Sequence, residues 1–231
     1  MLPRILEPEV MSDPQEALDY DAMDHEGVNR AFVTDLLRFD PTLESANVSA
    51  LDLGTGTALI AIELARRTQH LSIAARDMSD AMLTQARRNI EREGMQTRVI
   101  TELADAKKMS VKQFHLVISN SVVHHMTEPS VLISAALNAT AKGGVLFVRD
   151  LLRPPSRQAL GKLVDQYAAP SPDLSGKALE VALRQRGHFS ASLHAALTID
   201  EAQTVAMSVG IDASAIKQTS DRHWTLALHV A

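Results

Sequence analysis

A short apolar run, Ala50-Leu51-Asp52-Leu53, ends in the turn Gly54-Thr55-Gly56-Thr57 and opens directly onto a helical pattern from Leu59 to Arg67. A strand that runs through a glycine turn into a helix gathers backbone N–H groups and a positive helix end at one spot, and glycine lets a ligand approach the backbone closely. Such a unit commits the chain to alternating strands and helices, with a ligand at the carboxyl end of the strand. The rest of the chain repeats the alternation: strands at 71–76, 98–102, 115–119 and 144–149, with helices at 57–67, 80–93 and 129–141. This order predicts a doubly wound, mainly parallel α/β sheet.

Boundary residues agree with that register. Ser79 or Asp80 suits a helix N-cap, Gly94 a left-handed helix end, and Pro129 a first helical turn that Gly143-Gly144 closes. Thr198-Ile199-Asp200-Glu201 reads as a capping box opening a helix that Gly210 ends. Two last strands, near 214–219 and 223–230, are separated only by Ser220-Asp221 and a short flank, so they must be antiparallel. Two helices, 14–23 and 25–39, precede the first strand and stop at Asp40-Pro41. The expected organisation is an N-terminal helical cap over 1–47 and a ligand-binding domain over 48–231, with a polar helical insertion at 153–196 acting as a substrate lid.

Composition removes whole classes of function. With no cysteine among 231 residues, disulfides, thiolate metal sites and a cysteine nucleophile are excluded. A net charge of −5 and only 3% aromatic residues supply little for tracking phosphates or stacking bases, so a nucleic-acid partner is not expected. No apolar run is long enough for a membrane span, and Met1-Leu2-Pro3-Arg4 leads into Glu7 and Glu9 rather than a signal core. A cytoplasmic protein is expected, while the oligomeric state has no sequence signature.

The turn itself narrows the ligand. A dinucleotide fingerprint needs a third glycine where this chain has Leu59, which disfavours a nicotinamide oxidoreductase. The stretch D-L-G-T-G-T-A instead resembles the first motif of the class I S-adenosylmethionine-dependent methyltransferases, with Ala58 where many members carry another glycine. Three later stretches resemble that family's subsequent motifs in order. They are Asp77-Met78-Ser79 with Met82-Leu83, then Leu103-Ala104-Asp105-Ala106, then Phe114 to His125 with its S-N-x-x-x-H-H ending, in which His115 replaces a usual Asp. The resemblance is strongest to small-molecule enzymes of the ubiquinone and menaquinone-biosynthesis type. It implies a Rossmann-like methyltransferase fold of seven strands ending in an antiparallel hairpin, S-adenosyl-L-methionine as cofactor and a small-molecule methyl acceptor.

Site expectations follow. Asp77, at the tip of the second strand, can accept hydrogen bonds from both ribose hydroxyls, although its place also suits a helix cap. By resemblance, Met78 packs on the adenine, Asp105 and Ala106 read its edge, and Asn120 with Ser121 lies near the sulfonium. Asp52, Gly54, Thr55 and Gly56 complete the cradle, and Tyr20 closes over it from the cap, where Asp24, His25, Asn29 and Arg30 are further candidates. An acidic acceptor needs a base, for which His124, His125, His194 and Asp150 are candidates; Arg149 and Arg153 share the same rim. Adjacent histidines without Cys or H-x-x-x-H spacing do not point to a metal, so none is expected. Trp224 reads as a core anchor. A catalytically silent protein that keeps the cofactor pocket is the main rival from another class.

Overall fold

The computed structural model describes residues 2–7, 13–23, 25–106 and 113–231; Asp24, one of the cap candidates, lies outside them. The elements in chain order are α1 (Pro14–Asp21), α2 (Glu26–Phe39), β1 (Ser49–Leu53), α3 (Leu59–Arg67), β2 (Ser72–Asp77), α4 (Asp80–Arg92) and β3 (Val99–Leu103). They continue as β4 (Phe114–Asn120), α5 (Pro129–Ala139), β5 (Thr140–Leu151), α6 (Arg157–Ala168), α7 (Gly176–Ala195), α8 (Ile199–Ser208), β6 (Ile216–Gln218) and β7 (His223–His229). The strands form one sheet in the order β3-β2-β1-β4-β5-β7-β6. Pairing is parallel from β3 through β5 and antiparallel at β5–β7 and β6–β7. The order reverses between β1 and β4, where the carboxyl ends of an open sheet leave a crevice for ligands.

Both faces of the sheet are buried, which is why its central strands read as nearly continuous apolar runs. Ala50, Leu116, Ile118, Val145 and Phe147 face α2, α3 and α4, with Phe32, Leu36, Leu64 and Ile90 among the residues packed on them. Their neighbours Leu51, Val117, Leu146 and Val148 point the other way, into a second core with Leu132, Ala136, Ala202 and Trp224 from α5, α8 and β7. Trp224 is only 1% exposed, as expected of a core anchor.

Local signals behave as their chemistry demands. The Ser79 hydroxyl accepts from the Met82 N–H to cap α4, and Thr198 with Glu201 forms the reciprocal capping box of α8. One boundary departs from expectation. Helix α5 stops at Ala139 rather than at the glycine pair, and residues 140–144 form an irregular entry to β5. Phe114 pairs with Thr140 and Leu116 with Val145, so five residue steps on one strand oppose two on the other. Gly143 has φ +75°, and a Cβ at Gly144 would lie 2.8 Å from the carbonyl oxygens of Ala141 and His115. The glycines serve this close backbone approach instead of a helix stop.

The glycine turn after β1 is held against β2. Gly54 and Thr55 donate their N–H groups to the Arg76 carbonyl at 2.8 and 2.9 Å. Gly54 has φ +70°, and an added Cβ would sit 2.4 Å from Val122 Cγ2. Gly94 shares the left-handed geometry, φ +66°, with nothing within 4 Å. Gly94→Ala should therefore cost only the left-handed strain of about 1–2 kcal/mol. Gly54→Ala should add about 1–3 kcal/mol of overpacking against a stiff β-branched side chain. Urea unfolding of the two variants measures the difference, and equal losses would refute the close-approach argument.

Candidate active site

The tips of β1, β2, β3 and β4 surround one cleft, roofed by α1 and α2. Its void, open mouth included, is about 1200 Å³. All eleven expected cofactor residues line it: Tyr20, Asp52, Gly54, Thr55, Gly56, Asp77, Met78, Asp105, Ala106, Asn120 and Ser121. His25 and Asn29 of the cap line it too, as does His125. Convergence from four strand tips follows from the parallel pairing, which brings every carboxyl end to the same edge.

Asp77 organises the floor. Its Oδ2 accepts the Gly56 N–H at 2.8 Å and its Oδ1 accepts the Ser79 N–H at 2.8 Å. A carboxylate thus stands on the glycine turn where a dinucleotide pyrophosphate would need bare N–H groups. Each carboxylate oxygen retains a second lone pair for a ligand hydroxyl. Burial pushes the Asp77 carboxyl upward against the pull of its backbone bonds. Burial likewise pushes Asp52 up to about 7, with the Asp77 charge adding to it and the 2.7 Å bond from the Thr55 hydroxyl opposing it. Two desolvated carboxyls and Asp105 line the cleft, with Arg76 of the same lining paired to Glu102, a balance whose chemistry suits a cationic ligand.

An unsatisfied acceptor points the same way. Asn120 Oδ1 is buried with no partner, while its amide nitrogen is spent on the Ser121 hydroxyl at 3.1 Å. A buried acceptor without a donor costs roughly 1–3 kcal/mol, which a ligand N–H group would recover. S-adenosylmethionine carries a sulfonium and an ammonium against one carboxylate. The three acids, the orphaned carbonyl and the positive-φ glycines Gly54 and Gly56 fit that charge and shape.

Tyr20 reaches the turn from α1; its ring carbon would lie 3.9 Å from a Cβ at Gly56. It is set there by a tether with no local sequence signature. Asn89 donates to Asp21 Oδ1 at 2.7 Å and to the Thr57 carbonyl at 3.0 Å, and Gln85 donates to Asp21 Oδ2 at 2.8 Å. One buried Asn on α4 therefore ties both the cap and the glycine turn to the same helix. The His25 ring lies 4.5 Å from the Tyr20 ring, tilted by 35°.

The structure separates the candidate bases. His124, Asp150 and His194 do not line the cleft; only His125 does. Asp150, 1% exposed, takes N–H groups from Val123, His124 and Leu151 and pairs with His124 Nδ1 at 2.6 Å. Buried on β5 with these bonds, it holds the β4–α5 turn rather than reaching a ligand. Burial disfavours the His124 imidazolium, but the Asp150 charge and the bonds to Asp150 and Glu7 win and raise it to about 9. His194 keeps a buried, unpartnered Nδ1 behind the wall. Arg149 is engaged with Asp35 and Thr225, and Arg153 with Glu201 and the Ala196 carbonyl, so both brace the scaffold. No residue of the 153–196 insertion lines the cleft; it reaches the cap through Arg184 and Gln185, which bond Asp19.

The N-terminal strap, read from sequence only for its lack of a signal core, also belongs to this region. Arg4 donates to the carbonyls of His124, Met126 and Ala195, and Glu7 contacts His124, His125 and Ser192.

Comparison with known proteins decides the family. A family model described as a methyltransferase domain matches residues 44–178. The chain belongs to this methyltransferase family. Its fold is that of the class I S-adenosylmethionine-dependent methyltransferases. A ubiquinone biosynthesis O-methyltransferase of Xanthomonas axonopodis pv. citri is 27% identical over 128 residues, 55% of this chain and 53% of that protein. A tRNA1(Val) (adenine(37)-N6)-methyltransferase of Glaesserella parasuis serovar 5 is 42% identical over 71 residues, 30% of each. The methyltransferase thus spans about a third to a half of the length of these curated relatives. In fold it resembles an S-adenosylmethionine-dependent methyltransferase from Aquifex aeolicus, with TM-score 0.65 and 13% identity over 95% of this chain and 99% of that one. It also resembles the plantazolicin methyltransferase BpumL bound to S-adenosylhomocysteine, with TM-score 0.68 and 13% identity over 95% and 92% of the two chains. No described helix is long and apolar enough to cross a membrane.

The raised His124 carries a stability signature. Its folded pKa of about 9 lies above the ordinary 6.5, so its contribution is complete below pH 6.5 and is lost as pH rises through 9. Thermal unfolding of the methyltransferase should show Tm falling between these values, and His124→Gln should flatten that fall. An unchanged slope in the variant would contradict the buried pair.

Proposed function

We propose that this methyltransferase transfers the methyl group of S-adenosylmethionine to a small molecule held beside Asn120, Ser121 and His125. The observation that carries the reading is the convergence of Asp77, Asp52, Asp105 and the orphaned Asn120 carbonyl on one cleft. In this reading the cap, 1–47, covers the cofactor side of the 48–231 domain, and the 153–196 insertion buttresses that cap through α1. The likeness to ubiquinone biosynthesis O-methyltransferases supports a small acceptor, and the net charge of −5 argues against a polyanionic one.

When bound, S-adenosylmethionine supplies an activated methyl group on a sulfonium leaving group. The chain's residues do the rest. Asp77 holds the ribose hydroxyls, Met78 and Asp105 with Ala106 hold the adenine, and the Asn120 carbonyl takes an ammonium N–H. Fixing the donor this way leaves the acceptor to be aligned in line with the sulfonium, and most of the rate gain comes from that alignment. No metal is required for such a displacement.

Calorimetric titration tests the binding half. S-adenosylhomocysteine should bind and NAD should not, and Asp77→Ala should weaken binding by about 10- to 100-fold, as expected for lost hydrogen bonds to a charged group. Unchanged affinity in a folded variant would remove Asp77 from the site. Because binding of a cation favours ionised Asp52, whose carboxyl sits near 7, affinity for S-adenosylmethionine should rise from pH 5.5 to 7.5. A flat profile would contradict that placement. Release of S-adenosylhomocysteine with a panel of phenols and quinols, but not with tRNA, would support the small-molecule acceptor; cofactor binding with no turnover on any acceptor would favour a silent binding protein.

A further inference from the structure

Behind His125 lies a cluster that cofactor binding does not explain. Glu7 Oε1 sits 3.3 Å from His125 Nδ1 and 3.2 Å from His124 Nε2, and it accepts the Ser192 hydroxyl at 2.9 Å. On its far side His124 Nδ1 meets Asp150 at 2.6 Å, and the two imidazoles lie 4.2 Å apart. The chain thus runs Asp150, His124, Glu7, His125, from the sheet to the cleft wall. Its members come from β5, the β4–α5 turn and the N-terminal strap, with Ser192 of α7 buttressing Glu7.

We propose that Glu7 is a positioning residue that sets His125 as the proton acceptor for a weakly acidic hydroxyl on the methyl acceptor, a phenol or enol. The inference rests on the methyltransferase reading above. Side chains in mutual contact place two carboxylates against one imidazolium, His124, so a proton arriving on His125 balances the second negative charge. Burial tends to raise the Glu7 carboxyl, but its bond from His124 and the positive charge each histidine carries when protonated hold it below the usual range, so it stays an anion. Glu7 also fixes the ring: with Nδ1 turned to the carboxylate, His125 works through its other nitrogen. One layer out, Arg4 is spent on three carbonyls and Arg153 is paired with Glu201. Those charges are common to wild type and variants.

The step balances without any further reagent. The hydroxyl proton passes to the His125 nitrogen, an oxygen lone pair forms the O–CH₃ bond, and the CH₃–S⁺ bond breaks with its electrons returning to sulfur. The products are a methyl ether, neutral S-adenosylhomocysteine and an imidazolium beside Glu7.

The test reads His125 directly, without an acceptor. Full-length EDTA-treated protein labelled at the histidine ring carbon is titrated by NMR in the presence of S-adenosylhomocysteine, with His125→Asn identifying the resonance. Glu7→Gln, which preserves shape, should lower the His125 midpoint by about one pH unit, the effect of removing an adjacent charge. Ser192→Ala, which strips a hydrogen bond from Glu7 and leaves it more basic, should move the midpoint the opposite way. A merely structural Glu7 would give no shift, or shifts of one sign in both variants, and either result overturns the proposal. So would stoichiometric zinc binding to the wild type that Glu7→Gln abolishes, because Glu7, His124 and His125 would then be metal ligands. Calorimetry on the same samples separates the premises: no affinity for S-adenosylhomocysteine sinks the methyltransferase reading, whereas retained affinity with an unmoved His125 sinks only this one.

Discussion

The geometry of the cleft depends on the clamp between the glycine turn and the tip of β2. The Arg76 carbonyl takes the Gly54 and Thr55 N–H groups, and one residue later the Asp77 carboxylate takes that of Gly56. Three consecutive donors after β1 are therefore satisfied by two consecutive residues of the neighbouring strand. The clamp can exist only because β1 and β2 are parallel and in register, Leu53 opposite Arg76. It also decides which ligands the turn accepts, since a carboxylate in this place repels phosphate and welcomes hydroxyls and cations. Arg76, which also lines the cleft, pairs with Glu102 of β3 and lies over the Phe114 ring.

Around that clamp the molecule spends buried polar groups on position. Asn89, fully buried on α4, holds the cap through Asp21 and the turn through Thr57. Arg149 is buried against the Phe32 and Phe147 rings and ties β5 to α2 through Asp35. Asp150 and His124 brace the turn that presents Asn120, Ser121 and His125 to the cleft. Breaking one partner of such a buried pair strands the other, so substitution of a single partner is expected to be costly. The cavity side is left deliberately incomplete at the Asn120 carbonyl, where a ligand donor is needed.

Much of this was legible in the sequence. Strand tips could be placed because alternating apolar runs and helix periodicity have short-range signatures, and Asp77, Asp105 and Asn120 each stand at or just past the end of a strand pattern. The glycine pair at 143–144 misled because a helix stop and a backbone crossing use glycine for the same conformational freedom, and only the neighbouring strand tells them apart. Asp150 and His124, candidate bases by sequence, stand outside the cleft lining for a related reason: a polar residue at a strand end can face the cleft or the next loop, and one residue of register decides. Arg4, Glu7 and the Asn89–Asp21 tether were invisible because their partners lie 64 to 191 positions away. Such contacts arise from packing and leave no periodic trace.

The central claim is that successive strand tips grip a sulfonium nucleoside through carboxylates standing on the glycine turn. A crystal structure with S-adenosylhomocysteine tests it most directly. The account predicts the ribose hydroxyls on Asp77 and the amino group within reach of the Asn120 carbonyl. A ligand bound elsewhere, or one in this cleft with Asp77 still bonded only to Gly56 and Ser79, would contradict it.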